Sequence, residues 1–241
     1  MTTSFLTDHG IMVPAVTADQ MREVDRVAIE ETGPNLFQMM ENAGRNLASH
    51  ALELLGDRWR EARVVVLAGG GGNGGGGICA ARHLANREVD VALVLSNPDQ
   101  LGTVPAWQRT VFGGTRGHEV GIETLDRQRP DLIIDALIGY GLREAPLGSA
   151  ATLITWANAS GARIVALDVP SGVNATSGEC PGVYIRAHTT ITLALPKTGL
   201  GGEATGDLWL ADIGIPRATY ARAGVSYADP FGTRYRVLIR R

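Results

Sequence analysis

The chain has 241 residues, a mass of 25.5 kDa and a net charge of -3 at pH 7, a balance that gives no global attraction to nucleic acid or anionic lipid. With 44% hydrophobic and 20% charged residues it is not a disordered chain. Its 31 glycines exceed the roughly 17 of average usage; they show no G-X-Y period, so collagen is excluded, and eight fall in the nine residues Gly69 to Gly77.

Two helices open the chain. Thr17 with Gln20 reads as a capping box, and Met21, Val24 and Ala28 share one helical face. Gly33-Pro34 is a stop signal. A second helix starts near Asn35. Leu36, Met40, Ala43, Leu47 and Ala51 form its buried stripe, and Gly56 is its C-terminal cap. The pattern then turns to strands. Arg63 to Ala68 is a β-branched run suited to a buried parallel strand, followed by the glycine-rich segment and a helix face of Ile78, Ala81, Leu84 and Ala85. Further strands are expected at Val89 to Leu95, Asp131 to Asp135, Arg163 to Leu167, Thr189 to Leu195 and Asp207 to Ala211. Helices are expected at Pro105 to Phe112 and Ala150 to Ala159. This alternation argues for a doubly wound α/β sheet. With no internal repeat or linker, 1–241 reads as a single domain. The final eight residues, 234–241, carry four arginines and read as a frayed basic tail or an oligomer contact.

Cys79 and Cys180 read as free thiols of a reducing cytoplasm, with a single bridge as the alternative. The first sixteen residues lack the pattern of a signal peptide, and no apolar run approaches a membrane span. The expectation is a soluble cytoplasmic protein.

A strand, a glycine-rich turn and a helix start make a phosphate site: glycine permits positive φ and close approach, and the helix presents free N–H groups. Gly69-x-Gly71-x-x-Gly74 fits the dinucleotide fingerprint, but a segment this rich in glycine fits many templates. The acid expected at the end of the second strand is missing, since Leu95-Ser96-Asn97 stands there and Asp99 comes late. No Lys-Ser/Thr follows, which excludes a P-loop NTPase. Asn73 is the one polar side chain of the segment. It either orients a ligand or cation, or is a turn asparagine.

Asp135 and Asp168 each close an apolar strand. Ligands of open α/β sheets bind at the carboxyl ends of strands, so both acids point to a crevice, with helix capping as the alternative. Hard oxygens from Asn73, Asp135 and Ser171 would suit an alkali or alkaline-earth ion. Lys197 is a surface lysine or an anion or acid–base partner. The five histidines lack metal-ligand spacing, and no G-x-S-x-G elbow makes Ser171 a nucleophile.

The segments TADQMREVD, FQMMENAG, GGGGNGGGGICAARHL, DALIGYGL, ALDVPSGVNATSGE, LPKTGLGG and ADIGIP occur in this order between residues 17 and 216. Together they resemble the YjeF N-terminal domain family, whose usual activity is NAD(P)H-hydrate epimerase. The resemblance implies a Rossmann-like three-layer α/β/α sandwich with a mostly parallel sheet, often dimeric. It implies interconversion of the R and S hydrates of NADH or NADPH, the S form then being used by a separate dehydratase. Substrate contacts would come from Gly72, Asn73, Gly74, Gly75 and Gly76, and from Gly139, Tyr140, Gly141, Leu142, Arg143, Glu144 and Ala145. Asp168 would touch the substrate and act with Lys197. A potassium ion would sit on Asn73, Asp135 and Ser171. The chain departs from the family pattern at Gly70, Gly72 and Gly76, where proline, asparagine and aspartate are usual, at Tyr140 for threonine, and at His188 for aspartate. The departures leave two alternatives: a diverged enzyme of the same fold acting on another small molecule, or a non-catalytic dimeric binding module. No nucleic-acid or membrane partner is expected.

Overall fold

The computed structural model describes residues 3–241; Met1 and Thr2, part of the stretch read above for a signal peptide, lie outside the described residues. The chain enters as a short antiparallel hairpin, β1 (Ser4–Thr7) and β2 (Met12–Pro14). Helix α1 (Ala18–Val27) follows and continues as a π-helical turn to Thr32. Its capping box is formed as the sequence suggests: Gln20 N–H donates to Thr17 Oγ1 while Gln20 Oε1 accepts from Thr17 N–H. Helix α2 (Leu36–Leu55) has a second capping box, from Asn35 and Gln38. Both boxes satisfy N–H groups that a helix start leaves free.

The remaining elements alternate. They are β3 (Arg63–Ala68), α3 (Gly72–Ala85), β4 (Asp90–Leu95), α4 (Thr103–Phe112), β5 (His118–Glu119), β6 (Leu132–Ala136), α5 (Gly148–Ala159), β7 (Arg163–Leu167), β8 (Thr189–Leu193), β9 (Asp207–Ala211), α6 (Arg217–Arg222) and β10 (Arg236–Arg240). All strands join one sheet in the order β2-β1-β10-β9-β8-β7-β6-β3-β4-β5. From β5 to β9 every pairing is parallel; β10, β1 and β2 add an antiparallel edge. Taken alone, the strands from β3 to β8 run 3-2-1-4-5-6, the dinucleotide-binding order, which reverses between β3 and β6. A crevice opens at the carboxyl ends of the strands where the order reverses.

Side chains alternate across a strand, and β3 divides accordingly. Val64, Val66 and Ala68 pack in the core under α1 to α4, whereas Val65 packs in the core under α5. The layers are therefore helix, sheet, helix, the expected Rossmann-like sandwich.

Two expectations need correction. Residues 236–240 are not a frayed tail: β10 pairs with β9 on one side and β1 on the other, and Val237 and Ile239 are fully buried. The alternation Arg-Val-Leu-Ile-Arg is a strand signal that the arginines obscured. The second concerns Gly69 to Gly77. Helix α3 begins at Gly72, so most of the segment is helix rather than loop, and none of its glycines has a positive φ. Close approach is what requires them. A Cβ at Gly69 would lie 2.0 Å from the Leu137 carbonyl oxygen, one at Gly74 would lie 1.8 Å from that of Gly69, and one at Gly77 would lie 2.4 Å from Ala136 Cβ.

Candidate active site

The carboxyl ends of β7 and β8 end in matched distortions. Asp168 has φ +67 while Val169 N–H donates to the Leu167 carbonyl at 2.9 Å; Ala194 has φ +62 while Leu195 N–H donates to the Leu193 carbonyl at 2.7 Å. Each is a tight three-residue turn of the strained, positive-φ kind, a conformation worth about 1–3 kcal/mol of strain at a non-glycine residue. The first turn places the Asp168 carboxylate against Leu193 N–H, at 3.2 Å, and Thr192 Oγ1, at 3.4 Å. The second starts the chain toward Lys197, whose ammonium donates to Asp168 Oδ1 and to the Leu193 carbonyl at 2.9 Å. Lys197 is 1% exposed and Asp168 3%.

A second carboxylate lies deeper. Asp135, at the end of β6, is fully buried and accepts from Ser171 N–H at 2.8 Å, the Ser171 hydroxyl at 2.6 Å and Leu137 N–H at 3.2 Å. All three donors are neutral, and burial pushes its carboxyl up to about 6. The Ser171 hydroxyl also accepts from Ile138 N–H at 2.8 Å, so it ties the segment after β6 to the turn after β7. Asn73, in the first turn of α3, lies against Gly139, and its buried Nδ2 has no hydrogen-bond partner.

Asn73, Asp168 and Lys197 line a cavity of ≈ 610 Å³ at the reversal of strand order. Its floor holds Asp168 and Lys197. One wall is Gly71, Gly72 and Asn73 at the start of α3, and another is Ile138 to Gly141. Met21, Arg22, Asp25, Met39 and Met40 from α1 and α2 close the third side. The Tyr140 hydroxyl donates to Asp25, and its ring lies 5.8 Å from Lys197 Nζ. Burial pushes the carboxyl of Asp25 up. Acid–base groups, a helix N-terminus and an apolar wall thus converge on one concave site. A larger groove of ≈ 810 Å³ along α2 contains neither Asp168 nor Lys197 nor the start of α3.

The model of the YjeF-related protein N-terminus matches residues 36–199. The chain belongs to the YjeF-related N-terminal family. A relative from Dehalogenimonas lykanthroporepellens named NAD(P)H-hydrate epimerase is 51% identical, over 98% of this chain and 97% of its own length. A relative from Salinibacter ruber named bifunctional NAD(P)H-hydrate repair enzyme is 38% identical, over 89% of this chain and 43% of its own length. The enhancer of mRNA-decapping protein 3 of Danio rerio is 30% identical, over 96% of this chain and 46% of its own length. The crystal structure of yeast YNL200c shares the fold, with a TM-score of 0.78 and 20% identity, covering 93% of this chain and 99% of its own.

Of the residues singled out by family resemblance, Gly72, Asn73, Gly139, Tyr140, Gly141, Asp168 and Lys197 line the cavity. Asp135 and Ser171 lie behind it, joined to each other. Gly74, Gly75 and Gly76 are buried in α3 and are not part of the lining; Leu142, Arg143, Glu144 and Ala145 lead away from it. A Cβ at Gly76 would meet Leu167 Cδ2 at 2.8 Å, Ala43 Cβ at 3.7 Å and Sδ of Met40, which lines the cavity, at 3.9 Å. His188 lies at the amino end of β8, where its Nδ1 accepts from Ile164 N–H at 3.0 Å, far along the strand from the site. Asp25 was missed in the sequence. Its signal was available: it follows Met21 by four residues, an acid on the buried face of α1.

Both cysteines are free. Cys79 forms a cluster with Glu41 and His83, which the histidine spacing alone did not reveal. Arg82 already fills it, donating to Glu41 at 2.5 Å and to Cys79 Sγ at 3.3 Å, and burial pushes the thiol up to about 12. It is an ion-pair cluster. No helix among the described residues is long and apolar enough to cross a membrane.

Proposed function

We propose that this chain is an NAD(P)H-hydrate epimerase, an isomerase that interconverts the R and S hydrates of NADH or NADPH. The observation that carries the reading is the Asp168–Lys197 pair, removed from water on the floor of a cavity in a chain half identical to a named epimerase.

Water adding to an enamine leaves its hydroxyl on the carbon bonded to the ring nitrogen. To invert that carbon, one bond to it must break and re-form on the other face. Asp168 takes the hydroxyl proton as the carbon–nitrogen bond opens, giving an aldehyde and an amine. The Lys197 ammonium supplies the proton that the nitrogen gains. Rotation and reclosure return each proton to its donor and leave the opposite configuration. Strained turns hold both groups before the substrate arrives, the preorganisation that makes such proton transfers efficient. The free N–H groups at the start of α3 face the cavity and suit the substrate's phosphates.

The donor set also fits a potassium ion. Asp135 is a fully buried carboxylate that only neutral groups touch, and such a charge calls for a counter-ion. Asn73, beside Gly139 in the first turn of α3, would offer its amide oxygen as a further hard ligand. Asp135, Ser171 and Asn73 would hold the ion, which would supply a fixed positive charge beside the segment 138–141. A homodimer and a separate dehydratase complete the reading. The latter is supported by the bifunctional relatives, of whose length this chain matches less than half. We place the chain in the cytoplasm with its dinucleotide substrates. Incubating it with pure R hydrate and following the S form by chiral chromatography tests the activity. Unchanged R hydrate, with another small molecule retained in the cavity, would favour the diverged enzyme.

A further inference from the structure

The segment 139–141 has glycine on both sides of Tyr140. Among the described residues, no backbone hydrogen bond holds it. Hydrogen bonds anchor it at two points. At its start the Ser171 hydroxyl receives Ile138 N–H at 2.8 Å. At its centre the Tyr140 hydroxyl donates to Asp25 Oδ2, reaching across the cavity to α1. Asp25 forms no ion pair among the described residues. The Tyr140 ring lies between two cations, 5.8 Å from Lys197 Nζ and 6.0 Å from the Arg22 guanidinium. Without the hydroxyl contact, only these weak attractions and the ring's packing against the apolar core oppose rotation about the two glycines.

We propose that Asp25 is a positioning residue of this site, latching segment 139–141 to α1 through Tyr140 and so holding the tyrosine ring beside Lys197, where it forms one wall for the substrate's reacting ring. The acceptor oxygen does the latching. The negative charge is not required, and Asp25 itself exchanges no proton with the substrate. The kinetic part of this inference rests on the epimerase reading; the latch itself does not.

The test compares Asp25→Ala, Asp25→Asn, Tyr140→Phe and the double variant Asp25→Ala/Tyr140→Phe in the full chain. Arg143 is exposed just beyond the segment, so trypsin cleavage after it reports opening. One side-chain hydrogen bond is lost, so cleavage is expected about tenfold faster in Asp25→Ala and Tyr140→Phe. The double variant is expected to match either single one, because both changes break the same contact. Asn keeps an acceptor and restores most of the protection that Ala loses. With the R hydrate, Asp25→Ala and Tyr140→Phe raise KM by about the same tenfold, with the larger part of the change in KM and not in kcat. Equal cleavage of all variants and wild type overturns the latch, as does Asp25→Asn behaving like Asp25→Ala. If Asp25→Ala does not fold, Tyr140→Phe gives the same two readings. A wild-type chain without turnover refutes the epimerase reading, while the cleavage rates still decide the latch.

Discussion

Lys197 and Asp168 compensate each other's charge almost entirely out of water, at 1% and 3% exposure. Each is held by a strained turn at the end of its own strand. Removing one partner of such a pair leaves the other charge buried and alone, at a cost of about 3–5 kcal/mol. Lys197→Met is therefore expected to lower stability to urea by that amount. Asp168→Asn costs less, because asparagine tolerates the positive φ and still accepts from Leu193 N–H. Asp168→Ala costs more than Asp168→Asn for the same two reasons. Equal denaturation midpoints for all three variants and wild type would show that the pair does not hold the floor of the cavity.

Asp135 carries a pH signature. Burial raises its carboxyl from 3.8 to about 6, so the folded chain binds this proton more tightly than the unfolded one. The stability it contributes is complete below the unfolded value and is lost as pH rises through about 6. A difference of about two pKa units corresponds to roughly 3 kcal/mol. In potassium-free buffer, wild type is expected to lose about this much between pH 4 and 7 relative to Asp135→Asn. At pH 7, potassium chloride raises the melting temperature of wild type above that in choline chloride, and Asp135→Asn shows no such gain. Equal responses of the two proteins would remove Asp135 from the cation site.

Gly77 tests the close-packing account of α3. Glycine to alanine inside a helix ordinarily gains up to about 1 kcal/mol. Here the new Cβ would lie 2.4 Å from Ala136 Cβ, so Gly77→Ala pushes the helix off β6. Overpacking of this kind costs about 1–3 kcal/mol, and a lowered urea midpoint is expected. A raised midpoint would restore ordinary helix propensity as the controlling factor.

Much of this fold was legible because its elements are locally self-consistent. Thr17 with Gln20 and the runs Arg63 to Ala68 and Arg163 to Leu167 form what their patterns specify. The hairpin Ser4 to Pro14 was not legible: β1 and β2 are short, and their partner β10 is more than 220 residues away. The glycine segment misled for a related reason. Its composition suits a positive-φ loop, and only the proximity of Leu137 and Ala136, brought by β6, shows that the absence of side chains is what matters. Asp135 and Asp168 were legible as strand-end groups, and Ser171 as an oxygen in the turn that follows Asp168. Asp25 carried a local signal, an acid on the buried face of α1, but its pairing with Tyr140, 115 positions distant, was not legible.

The most direct measurement is the rate of R-to-S conversion by wild type and by Asp168→Asn at equal, verified folding. Wild type is expected to convert the pure R hydrate to an R/S mixture, and the variant to be slower by about 10²–10⁴-fold, the range for loss of a positioned acid–base group. A variant that converts at the wild-type rate would take Asp168 out of the chemistry, and a wild type that converts nothing would contradict the epimerase assignment itself.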